Sequence, residues 1–64
     1  MTRQELVDAA KSVPIGQEKY YDFDGITFDN FQEIIDEIEA ARTDGGKVKL
    51  DRPANLLRVT IEAP

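Results

Sequence analysis

The sequence predicts an α+β fold in the order α-β-α-β-β. A small, mostly antiparallel three-stranded sheet packs against one long amphipathic helix, and a short helix precedes it. Three observations lead there. Apolar residues recur at helical spacing in Phe28, Phe31, Ile34, Ile35, Ile38 and Ala41, and at about 100° per residue they share one face. "KVKLD" and "LLRVTIE" alternate with period two, as half-buried strands do. A chain of 64 residues, 41% hydrophobic and 33% charged, has room for one domain, residues 1–64, around one small core.

The first helix is expected over Arg3–Ser12. Thr2 and Glu5 form a capping box, and Leu6, Val7, Ala10 and Val13 fall on one stripe. Pro14 and Gly16 stop it. "EKYYDF" reads as a strand, with Tyr21 and Phe23 on one side and Tyr20 and Asp22 on the other. Asp24-Gly25 suggests a tight turn. "ITF" after it either pairs back as a short arm or leads straight into the next helix. That helix begins at Thr27, stapled by Ile26 and Phe31, or at the competing cap Asp29. Asp29, Glu33, Asp36 and Glu37 lie opposite its apolar face, and Gly45 is expected as its left-handed C-cap.

Charge sets the register of the last two strands. Placing Leu50 opposite Val59 and Val48 opposite Ile61 brings Asp51 to Arg58 and Lys47 to Glu62. Sliding by two residues would set Lys49 against Arg58, an unfavourable pair. The chosen register implies a connection of about four residues.

The net charge of −5 is unevenly spread. Residues 1–19 are neutral, residues 20–44 carry −7 and residues 45–64 carry +2. Direct binding to nucleic acid or to an anionic membrane is disfavoured, since both need a basic surface. A basic partner surface is favoured. The chain has no cysteine, which excludes disulfides and thiolate metal sites and fits a reducing cytosol. The polar N-terminus "MTRQELVDAAK" does not read as a signal peptide, so a cytoplasmic protein is expected.

Catalysis is not expected. Histidine is absent and Ser12 is the only serine, so acid–base work would fall to groups held near their ordinary pKa by solvent. "DFDGITFDNFQE" misses the calcium-loop pattern in either frame. With Gly25 sixth, Tyr20 and Phe31 occupy the end positions; with Asp22 first, Ile26 and Thr27 replace the fifth ligand and the glycine. An adventitious cation site at Asp22, Asp24 and Asp29 is the residue of that idea. No cofactor is implied.

The acidic helix is the remaining feature. Asp29 with Glu33, and Glu33 with Glu37, are like-charged at i,i+4 and mildly destabilising. Asp36, Glu37 and Glu39 lie beyond the first turn, where the helix dipole no longer favours acids. In its size, acidity and lack of cysteine or catalytic residues the chain is similar to small phage-encoded inhibitors, anti-CRISPR proteins among them. That likeness implies a non-enzymatic inhibitor or regulator that occupies a basic protein surface, such as that of a nucleic-acid-binding protein. The expected contact residues are Asp29, Glu33, Asp36 and Glu37, with Glu39 at the rim and Asp22 and Asp24 beside the helix start. Tyr20 is either an aromatic anchor or core packing at the sheet edge. The alternative is a structural module that self-associates as a homodimer, through the Leu56–Glu62 edge or an uncovered apolar face, with the acidic helix merely solvated.

Overall fold

The Thr2 capping box forms as the sequence predicts. In the computed structural model, which describes all 64 residues, the Thr2 hydroxyl accepts from the Glu5 amide at 3.1 Å. The Glu5 carboxylate accepts from the Thr2 amide at 2.7 Å. Helix α1 spans Arg3–Ala10 and buries Leu6, Val7 and Ala10. It ends two residues before Ser12, although Val13 still reaches the core. Strand β1 follows at Glu18–Tyr21, helix α2 at Phe31–Ala41, and strands β2 at Lys47–Asp51 and β3 at Leu57–Glu62. The architecture is therefore the expected α+β order with an antiparallel sheet. No helix is long and apolar enough to cross a membrane.

The strand order is β1-β3-β2, with both neighbours antiparallel to β3. The β2–β3 register is the one charge selects: Val48 faces Ile61, Leu50 faces Val59, Asp51 faces Arg58 and Lys47 faces Glu62. Arg58 grips Asp51 through two guanidinium nitrogens, whereas Lys47 and Glu62 are register partners without an ion pair. The connection Arg52–Leu56 is five residues long, one more than expected. Because β3 is central, both of its edges are occupied, and the Leu56–Glu62 edge is not open to a second copy.

The period-two pattern gives the sheet one apolar face. Val48, Leu50, Leu57, Val59 and Ile61 meet Leu6, Val7, Ala10 and Val13 from the first segment and Ile34, Ile35 and Ile38 from α2. Both helices lie on this face, and the other is polar and open to water. Arg3, at the start of α1, meets Glu33 and Glu37 in the first half of α2. Ala10 and Lys11, at its end, meet Arg42 at the end of α2. The two helices therefore run in roughly the same direction.

The segment joining β1 to α2 differs from expectation. Neither Thr27 nor Asp29 caps α2; the cap position is Asn30, and its side chain turns backward. Its amide oxygen accepts from the Thr27 N–H and its amide nitrogen donates to the Gly25 carbonyl, both at 2.7 Å. "ITF" forms neither a strand nor helix, because β1 already pairs with β3. Phe28 lies outside α2 altogether. Gly25 is not in a left-handed conformation; positive φ occurs only at Gly16 and Gly45. Its lack of a side chain serves packing, since a Cβ there would stand 2.5 Å from the buried Phe23 ring.

At its other end α2 stops at Ala41, ahead of the expected Thr43–Gly46 break. Arg42 is extended, with φ −89° and ψ 150°, and this lets its side chain enter the interior. Gly45 does adopt φ +75°, but in the loop beyond the helix rather than as its cap. Ala41, placed by spacing on the apolar face, is exposed.

Candidate functional site

Elementary electrostatics requires each carboxylate of the acidic middle third to be solvated, hydrogen-bonded or paired, and the fold divides them accordingly. Arg3 donates from Nη2 to Glu33 at 2.6 Å and from Nε to Glu37 at 2.7 Å. The two acids hold the Arg3 guanidinium above its usual pKa. Arginine suits this because its planar fork spans two oxygens on successive turns. All three side chains are well solvated, so the pairs add little stability. Their effect is on potential: one cation offsets two carboxylates of the expected binding row.

Glu39 also has a structural partner. Its carboxylate accepts from the Val48 amide at 3.0 Å. That amide is on the outer side of β2, so Glu39 occupies a donor that an edge strand would otherwise offer to another chain. Asp24 pairs with Arg52 at 3.2 Å, and Arg52 also donates to the Phe23 carbonyl at 2.6 Å. Arg52 thus ties the β1–α2 segment to the β2–β3 connection. Asp22, Asp24 and Asp29 do not converge into a cation site, since no group of three or more acids is placed to hold a metal ion.

Asp44 is bound by Arg42 in a two-pronged contact at 3.1 and 2.8 Å. The Arg42 guanidinium, with a side chain only 2% exposed, also donates to the Ala10 and Lys11 carbonyls at 3.1 and 3.3 Å. It therefore gives the Lys11 carbonyl a donor and the Ala10 carbonyl a second one beside the Val13 amide. The Arg42 contact, with the Gly46 amide behind it, holds the Asp44 carboxyl below its usual range.

Four acids of the middle third remain without a cation: Asp22, Asp29, Asp36 and Glu39. Of these, Asp22 and Asp29 accept no side-chain bond, and Asp36 accepts only from Gln32, at 2.9 Å. Asp29 precedes α2, so its expected i,i+4 repulsion with Glu33 is not a helical pair.

Tyr20 lies on the polar sheet face, not in the core, and is half exposed. Its hydroxyl donates to Glu18 at 2.9 Å, beside Arg58, whose guanidinium is held above its usual pKa by Asp51 first and Tyr20 second. Asp51 is correspondingly lowered.

The feature that periodicity concealed is apolar. Phe28, assigned by spacing to the core face, is fully exposed, and Phe31 is 38% exposed. With Ile26 and Leu57 they line an open groove of about 550 Å³ at the entry to α2, completed by Thr27, Gln32, Asp51 and Arg52. Two of the unpaired acids neighbour its lining residues. Asp29 sits in the turn between the two phenylalanines, and Asp36 holds the groove residue Gln32. One signal was available for the Arg3 bridge, since Arg3 is the only arginine in the first 41 residues. The groove had none, because its lining comes from three separate segments.

Comparison of the chain with protein families, with curated proteins and with solved structures finds no match.

Proposed function

We propose that the protein is a non-enzymatic inhibitor or regulator that docks an acidic surface onto a basic surface of a partner protein in the cytoplasm. A nucleic-acid-binding protein is the partner class that fits, because its phosphate-binding groove is basic and shaped to receive rows of negative charge. The observation that carries the reading is the residue of charge left after internal pairing. All four arginines are engaged by acids, yet Asp22, Asp29, Asp36 and Glu39 keep no cation. The contact set is accordingly narrower than the sequence suggests. Asp22, Asp29 and Asp36 are its charged members, Glu33 and Glu37 are partly neutralised by Arg3, and Tyr20 lies on another face.

The absence of histidine and cysteine and the single serine support a binding role over a catalytic one. The test is affinity capture from a source lysate on the immobilised chain, at low and high salt, beside the triple variant Asp22→Asn, Asp29→Asn, Asp36→Asn. The screening length falls from about 8 Å at physiological ionic strength to about 3 Å at molar salt. A basic protein should be retained at low salt, released at high salt and not retained by the variant. Equal retention by the variant would remove the reading.

A further inference from the structure

We infer that the groove at Phe28 and Phe31, floored by the buried Leu57, is the docking point itself, and that it receives a segment of a partner protein bearing a large apolar side chain flanked by lysine or arginine. This rests on the acidic-surface reading above and deepens it.

The first support is the position of Phe28. A small domain gains most of its stability from apolar burial, yet this ring contributes none, being 100% exposed. Its backbone is nonetheless held, because Asn30 bonds both Gly25 and Thr27. Phe31 stands half in solvent beside it, and Ile26 and Leu57 close the groove beneath. Aromatic side chains, phenylalanine among them, are enriched in the buried centres of protein–protein contacts.

The second support decides the occupant. A small ligand buries about 70–90% of its surface in a cleft, which an open groove with one wall wholly in water does not provide. A partner surface can cover that wall. The charged groove residues are already matched, Arg52 to Asp24 and Asp51 to Arg58. The unmatched charge next to the lining is Asp29, which follows Phe28 in the chain, and Asp36, which accepts from Gln32, and it is negative. A second copy of this chain is disfavoured by the same charge, because a two-fold contact brings two identical negatively charged patches together. A partner with an apolar centre and basic flanks meets both features at once.

The experiment uses the full chain and three short synthetic peptides of equal length: leucine with lysine, serine with lysine, and leucine with glutamate. Binding is measured by calorimetry and mapped by amide chemical shifts. The leucine–lysine peptide should bind about tenfold or more tighter than the serine–lysine peptide, with shifts at Thr27, Phe28, Phe31 and Gln32. Phe28→Ala should remove that advantage while leaving the melting temperature and the serine–lysine affinity unchanged. Equal affinity of the two lysine peptides, shifts elsewhere, or full leucine–lysine affinity in Phe28→Ala would overturn the groove assignment and leave the acidic-surface reading standing. Failure of both lysine peptides to bind, or tighter binding of leucine–glutamate, would overturn both.

Discussion

The two flanks of α2 carry the same kind of side chain and serve opposite ends. On the flank toward α1, Glu33 and Glu37 are bridged by Arg3, and beyond them Arg42 ties the end of α1 to Asp44. On the flank toward the β2–β3 connection, Gln32 and Asp36 bond only each other, beside two phenylalanines in water. A carboxylate on a helix thus says little about potential until its neighbours from other elements are known. Charge that holds the fold and charge that remains available differ by which cation the packing delivers.

The contrast breaks most severely through what the flanks share. Ile38 is fully buried at the base of the helix, and Ile38→Ala should cost about 2–5 kcal/mol in denaturant unfolding, enough to unfold much of a domain this small. Both flanks should then lose their order together.

Arg42→Met tests the joined side alone. It removes the buried donors to the Ala10 and Lys11 carbonyls and leaves Asp44 without its cation, at an expected cost of about 2 kcal/mol. At about 4–8 °C per kcal/mol for domains of this size, the melting temperature should fall by about 8–16 °C. A shift near zero would mean that the two helices hold each other through apolar contact only.

Acid should weaken the contacts that hold carboxylates on both sides. Asp44, Asp51 and Glu5 are all held below the usual carboxylate range, by Arg42, Arg58 and the Thr2 amide respectively. The unfolded chain therefore binds more protons than the native one, and stability rises with pH. Their contribution is complete above the unfolded carboxylate range, near pH 4, and is lost as pH falls through the lower native values. Melting temperatures between pH 7 and 2 should decline below about pH 4, less steeply in Asp44→Asn.

Arg3→Met sharpens the comparison by making the flanks alike. It frees Glu33 and Glu37, so binding of the serine–lysine peptide should strengthen while stability changes little, because all three groups are solvated. Unchanged binding would show that these acids do not contribute even when free. The smallest expected effect on the fold is that of Phe28→Ala, whose ring is wholly exposed; a clear drop in melting temperature would show that the ring packs in solution.

Much of this was legible in the sequence. Helix α2, the capping box of α1, the β2–β3 register and the Asp51–Arg58 pair follow from spacing and cross-strand charge. The entry to α2 was not legible. Phe28 keeps helical phase with Phe31 and Ile35, so periodicity alone extends the helix back to it. The Asn30 side chain, bonding to Gly25 and Thr27, ends that continuity. The site was half legible: the excess negative charge was placed in the right third, but the row assigned to it included Glu33, Glu37 and Glu39, which have structural partners.

The physical reason is one of range. Helical and strand periods, caps and hairpin register arise between residues a few positions apart or across one turn, so the sequence by itself determined the elements and the pairing of β2 with β3. Arg3 meets Glu33 across 30 positions and Arg42 meets Ala10 across 32, and such contacts exist only once both helices share a sheet face. Tertiary packing alone decided that β3 is central, which carboxylates are neutralised, and that an apolar groove stands open beside two of those that are not.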